Sequence, residues 1–137
     1  MTNLRYFLTT LTILSMCLVS AQDVSLEWAS TFKGNSGPTL GNVIISDSEG
    51  NTYTAGKFSG NVDFDPGPDS TILTAGFSGT YILKLDPSGN FIWVKKMVGQ
   101  NITSMIFDVN GNLLLAGYFG GLNDFDPGVN TLSLNSL

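Results

Sequence analysis

Two short acidic segments hold the residues of this chain best suited to chemistry, Asp63-Phe64-Asp65-Pro66-Gly67 and Asp124-Phe125-Asp126-Pro127-Gly128. In each, two aspartates alternate. An extended backbone would point Asp63 and Asp65, or Asp124 and Asp126, the same way, with the phenylalanine opposite. Two hard oxygen donors before a Pro-Gly turn, which exposes carbonyls, make a candidate Ca2+ site. These four aspartates are the metal candidates, and Ca2+ is the only cofactor suggested. The competing reading is structural: Asp65 caps the Asp-Pro-Gly turn and Phe64 anchors the loop. The same carboxylate pairs could serve as acid and base in glycoside hydrolysis. Their duplication argues against this, because catalytic groups are normally unique and structural groups recur.

Other chemistries lack their residues. The chain has no His, and its only Cys and only Arg are Cys17 and Arg5. Beyond Ala21 this removes Ser-His-Asp and Cys-His catalysis, His-based zinc sites and Arg phosphate clamps. No Gly-rich segment matches a phosphate loop or a dinucleotide fingerprint. Tyr53, Tyr118 and Trp28 could stack on sugars, although core packing competes for aromatics at strand positions. A protein or carbohydrate ligand stays open on this reading. Nucleic acid is disfavoured: Asp plus Glu number 11 against 6 Lys plus Arg, and the only adjacent basic pair is Lys95-Lys96.

The acidic segments belong to a larger duplication. Residues 47–67 recur at 108–128 with a constant offset of 61 and 12 identities in 21 positions. Asp47, Gly50 and Asn51 return as Asp108, Gly111 and Asn112, and Ala55-Gly56 returns as Ala116-Gly117. A repeat of this length decides architecture before any single residue does.

Strand signals are dense and helix periodicity is absent beyond Ala21, which predicts an all-β fold. Asp47-Ser48-Glu49-Gly50-Asn51, Asp86-Pro87-Ser88-Gly89-Asn90 and Asp108-Val109-Asn110-Gly111-Asn112 share the form Asp-x-x-Gly-Asn. Asp suits the first position of a type I turn, and Gly supplies the left-handed residue of a G1 bulge. Each motif therefore predicts a tight antiparallel hairpin. None has the carboxylate series of an EF-hand loop. The predicted strands are a (42–46), b (51–58), c (79–85) and d (90–98), then a (103–107) and b (112–119) again, with a second c beginning near Thr131. Residues 26–33, around Trp28, read as an orphan d-type strand that could pair with this second c. In strand d, Phe91, Trp93 and Met97 are expected on one face and Ile92, Val94 and Val98 on the other, both apolar.

Four antiparallel strands in a repeated unit of about 60 residues match a β-propeller blade. Blade one spans 42–98 and a partial blade two spans 103–137. The phrases Val62-Asp63-Phe64-Asp65-Pro66-Gly67, Tyr81-Ile82-Leu83-Lys84-Leu85-Asp86 and Gly89-Asn90-Phe91-Ile92-Trp93-Val94-Lys95 resemble the secreted bacterial β-propeller repeat (SBBP-type) family. The resemblance implies an N-terminal fragment of a long exported protein, commonly from Bacteroidetes, and does not itself specify a function. Recurrence of the motifs and the missing catalytic residue types give the expected role, a non-catalytic binding or cell-surface scaffold. The alternative is a piece of a secreted propeller-fold hydrolase or lyase whose active site lies in other blades. A propeller needs about four to eight blades. Further blades in a longer chain, or a homo-oligomer, are the expected partners.

The segment from Met1 to Ala21 reads as a signal peptide. Arg5 makes a positive n-region, Leu11 to Val19 an apolar h-region, and Val19-Ser20-Ala21 a cleavage site before Gln22. The apolar run is too short to span a membrane. The repeat region is then 22–137, and the expected location is secreted or at the cell surface. With Cys17 removed, no disulfide can form and packing must hold the fold.

Overall fold

The computed structural model describes residues 25–34, 37–97 and 100–136. The signal-peptide reading of 1–21 lies outside them. The described residues form nine strands and no helix: β1 (Lys33–Gly34), β2 (Thr39–Ser46), β3 (Thr52–Asp63), β4 (Ile72–Leu85), β5 (Phe91–Met97), β6 (Gln100–Phe107), β7 (Leu113–Phe119), β8 (Leu122–Asp124) and β9 (Ser133–Asn135). All pairings are antiparallel.

β2, β3, β4 and β5 pair in sequence order as a meander. β1 joins the same sheet by pairing with the far end of β3, Lys33 opposite Asp63 and Gly34 opposite Val62. β6–β7 and β8–β9 are two further hairpins, and the described strands do not close a ring.

The duplication extends to register. β2 skips Asn42 against β3, and β6 skips Thr103 against β7, so both bulges fall at equivalent positions. Asn61, Val62 and Asp63 pair with Thr74, Leu73 and Ile72. Their equivalents Leu122, Asn123 and Asp124 pair with Asn135, Leu134 and Ser133. Every pair is displaced by the offset of the sequence repeat.

The bulges explain the repeated Ala-Gly pair. A Cβ on Gly56 would collide with the carbonyl oxygen of Leu40, and one on Gly117 with that of Asn101. The bulged strand pushes a carbonyl into the space a side chain would need.

The meander buries both faces. On one side Phe58, Val62, Phe64, Tyr81, Leu83 and Leu85 form a core, covered by Trp28, Phe32 and Leu73. On the other, Tyr53, Ala55, Ile82 and Met97 pack against Ile102 and Met105 of β6. The β6–β7 hairpin thus lies over the sheet as a second layer. Edge-on contacts of Tyr53 with Trp93 (5.9 Å) and Phe107 (5.0 Å) join the layers. Each such pair adds about 0.5–1.5 kcal/mol beyond area burial.

Three expectations need correction. β3 and β4 run well past the predicted 51–58 and 79–85, because an irregularity at Ser59 lets the ladder resume from Gly60 to Asp63. Phe91 packs with Val94 on the face opposite Trp93, since the ladder skips Ile92 between them. Residues 26–33 form no d-type strand: only Lys33–Gly34 is extended and paired, with β3 and not with a strand near Thr131. Trp28 and Phe32 lie across the sheet face instead, where the aromatic core would otherwise meet water. Trp28 also donates its indole N–H to the Pro87 carbonyl at 3.1 Å.

Gly56→Ala is expected to cost about 1–3 kcal/mol in denaturant unfolding, the scale of an overpacked core. Gly76→Ala, at a position with open space for a Cβ, is expected to change stability by less than about 0.5 kcal/mol. Equal costs would contradict the close-approach account.

Candidate functional site

The three Asp-x-x-Gly-Asn turns are built alike. In the first, Asp47 Oδ1 accepts from the backbone N–H of Glu49 (3.0 Å) and of Asn51 (2.9 Å), while Oδ2 accepts from Asn51 Nδ2 at 2.8 Å. Asp86 accepts from Ser88 N, Asn90 N and Asn90 Nδ2 at 2.8, 2.8 and 2.9 Å. Asp108 accepts from Asn110 N, Asn112 N and Asn112 Nδ2, each at 2.8 Å. Gly50, Gly89 and Gly111 stand at φ of 84°, 84° and 80°, as the G1 bulge requires.

The Asp-Phe-Asp-Pro-Gly loops also match each other. Asp63 Oδ1 accepts from Asp65 N (3.1 Å) and Thr71 N (2.9 Å), and Oδ2 accepts from Ser70 Oγ at 2.8 Å. Asp65 Oδ1 accepts from Gly67 N at 2.7 Å. In the second copy, Asp124 Oδ1 accepts from Asp126 N (3.0 Å) and Leu132 N (2.8 Å), and Asp126 Oδ1 accepts from Gly128 N at 2.6 Å. The first aspartate bridges the two ends of the loop and the second caps its turn. Asp63 and Asp65 therefore do not present two free carboxylates side by side. Asp63 is turned onto the backbone of Asp65, and a cation there would compete with N–H donors for the same oxygens. Among the described residues no group of three or more Asp, Glu, His or Cys is placed to hold a metal ion.

The phenylalanines are anchors. Phe64 is fully buried, 4.7 Å from Tyr81, 5.3 Å from Phe58 and 5.4 Å from Phe32 between ring centroids. Truncating such a residue costs about 3–5 kcal/mol, at or above a single hydrogen bond to a carboxylate at about 1.5–3 kcal/mol. Phe125 repeats the contact with Phe119 at 4.8 Å, although it is only half-buried.

Two concave surfaces lie where the layers meet. A polar cleft of about 500 Å³ runs between the first and third turns, lined by Asp47, Glu49, Tyr53, Lys84 and Asp108 among others. Lys84 Nζ stands 3.5 Å from Asp47 Oδ2 and 4.8 Å from the centre of the Tyr53 ring. The Tyr53 hydroxyl donates to Asp47 Oδ2 at 3.2 Å. The Asn51 side chain, with backbone N–H groups and Tyr53, holds the Asp47 pKa down at about 2 against partial desolvation. A hydrogen bond donated by the ammonium to the Tyr53 hydroxyl oxygen, then the Asp47 carboxylate, raises Lys84 above the ordinary lysine value. Both side chains are partly buried, and a single pair at 3.5 Å that still reaches solvent contributes modestly to stability. The second surface is an apolar groove of about 390 Å³ along β7, lined by Met97, Ile102, Leu113, Leu115, Phe119 and Phe125 among others.

The sugar-stacking candidates separate. Tyr53 is buried and Trp28 is half-buried on the core, whereas Tyr118 is 64% exposed at the groove. Lys84 was not singled out in the sequence. Its place opposite Tyr53 depends on the β3–β4 register, and only its position between Leu83 and Leu85, facing away from them, hinted at it.

Acid is expected to unfold the protein through these turns. The carboxyls of Asp47, Asp86 and Asp108 are lowered chiefly by the Asn side chain of each turn, and Asp63 chiefly by the Ser70 hydroxyl. Groups with a depressed folded pKa stabilise above the ordinary value of 3.8 and lose that contribution as pH falls through the lowered value, about 2 for Asp47. Stability measured by denaturant should therefore be flat near neutrality and fall between about pH 4 and pH 2, with a shallower fall in Asp47→Asn; an unchanged slope in that variant would count against the turn as the source. Comparison with known proteins yields no match to a family model, a curated protein or a solved structure.

Proposed function

We propose that this chain is an exported, non-catalytic repeat module of the β-propeller-blade type, acting as a binding or cell-surface scaffold. The observation that carries the reading is duplication of the polar machinery. The carboxylates best placed for chemistry, Asp63 with Asp65 and Asp124 with Asp126, recur with the same backbone partners. A catalytic pair needs carboxyl groups free to exchange protons or bind a sugar carbon. These hold loop ends together instead. Export rests on the leader-like residues 1–21.

Stacking of the β6–β7 hairpin on the meander supports the blade assignment. Each face of the meander carries a buried apolar cluster, one against β6 and the other under Trp28 and Phe32, which suits a sheet set between neighbouring sheets. The acidic composition suits a soluble, exposed surface and not a polyanion partner. Ligand contact is assigned to the cleft and groove between the layers, where side chains differ between the copies: Tyr53 is replaced by Leu114 and Lys57 by Tyr118.

The purified protein is expected to release no new reducing ends from a panel of plant, fungal and bacterial polysaccharides. Millimolar Ca2+ is expected to leave its melting temperature unchanged. Hydrolysis abolished by Asp63→Asn would overturn the non-catalytic reading. A rise in melting temperature with Ca2+ that Asp63→Asn abolishes would restore the metal role of the acidic loops.

A further inference from the structure

The two copies differ at one edge. In the first, β3 is paired on both sides, with β2 along one edge and with Gly79–Leu85 of β4 along the other. In the second, β7 is paired with β6, and no strand among the described residues lies along its other edge. Unpaired N–H and C=O groups in a row are a template for another strand.

The groove beside that edge has a defined shape. In the first copy Tyr81, Leu83 and Leu85 stand opposite Gly56, Thr54 and Thr52, on the face that buries Phe58 and Phe64. The equivalents of those three β3 residues are Gly117, Leu115 and Leu113, and all three line the groove. Phe119 and Phe125 reproduce the Phe58–Phe64 contact. The third ring of the first copy's cluster, Tyr81, comes from β4, so the groove lies where an aromatic opposite Gly117 and aliphatics opposite Leu115 and Leu113 would sit.

We propose that the free edge of β7 and its groove form an acceptor site for an antiparallel strand with the residue pattern of Gly79-Thr80-Tyr81-Ile82-Leu83-Lys84-Leu85. Such a strand places a small residue opposite Phe119, its aromatic opposite Gly117 on the Phe119–Phe125 pair, and its two leucines over Leu115 and Leu113. Backbone bonds along β7 supply affinity, and the alternate apolar side chains entering the groove supply selectivity. A second copy of this chain cannot donate its own Gly79–Leu85 without losing the β3–β4 and β4–β5 ladders. The occupant is a further strand of this chemistry and not the Gly79–Leu85 segment of a second copy. The inference rests on the equivalence of the two copies, which the proposed scaffold role shares.

The test is hydrogen exchange of the full chain with a synthetic peptide of sequence Phe77–Phe91, and with the same peptide carrying Tyr81→Ser, Leu83→Ser and Leu85→Ser. The expected result is at least about tenfold slower exchange at the β7 amides directed away from β6, lost with the substituted peptide, while β3 amides are protected throughout. Unchanged β7 exchange with both peptides overturns the acceptor site, as does equal slowing by both. If the chain alone is a dimer in which those β7 amides are already protected, the occupant is a second copy and the proposal fails. Protection of β3 alone leaves the repeat-module reading standing, so failure of the acceptor site does not carry that reading with it.

Discussion

A carboxylate bonded to the backbone two and four residues ahead is the interaction on which the rest of the fold depends. An aspartate at the first position of a turn satisfies N–H groups that would otherwise face water, and it fixes the register of the strands on either side. Asp47, Asp86 and Asp108 do this at every tight hairpin among β2–β3, β4–β5 and β6–β7. Asp63 and Asp124 do a longer version of it, tying residues eight apart across a loop. A one-residue slip in any of these ladders would turn buried residues out to solvent. Charge in this protein is spent largely on geometry.

Register then decides the packing. With β3 and β4 aligned, Tyr81, Leu83 and Leu85 fall on one face and Ile82 on the other. The first face gathers the Phe58–Phe64–Tyr81 ring cluster, and the second receives β6. Tyr53 links the levels, since its ring packs on Trp93 and Phe107 while its hydroxyl reaches Asp47. A polar turn, an aromatic bridge and an interlayer cleft are therefore one connected arrangement.

The turns and loops were legible in the sequence because their chemistry is local. Asp-x-x-Gly-Asn states both the acceptor and the left-handed residue, and the structural alternative for Asp65 and Phe64 describes their observed contacts. What depended on non-local pairing was not legible. The bulge at Ile92 inverts Phe91 relative to Trp93, and alternation alone cannot reveal it. The irregularity at Ser59 carries β3 beyond the expected end at residue 58. Trp28 resembles Trp93 in its neighbours, yet it covers a sheet face because the aromatic core beneath it needs a lid more than the sheet needs an edge strand. Lys84 joined the cleft only once β3 and β4 were in register. Asp63 ends β3, and its side chain accepts the N–H of Asp65, a local contact that strand alternation alone does not describe.

One unit is built twice with one register. Interstrand nuclear Overhauser effects in solution test it most directly. Contacts are expected to join Val43 with Ala55 and Ser104 with Ala116, and Val62 with Leu73 and Asn123 with Leu134. Contacts in the second copy displaced from the first by anything other than the offset of the sequence repeat would contradict it.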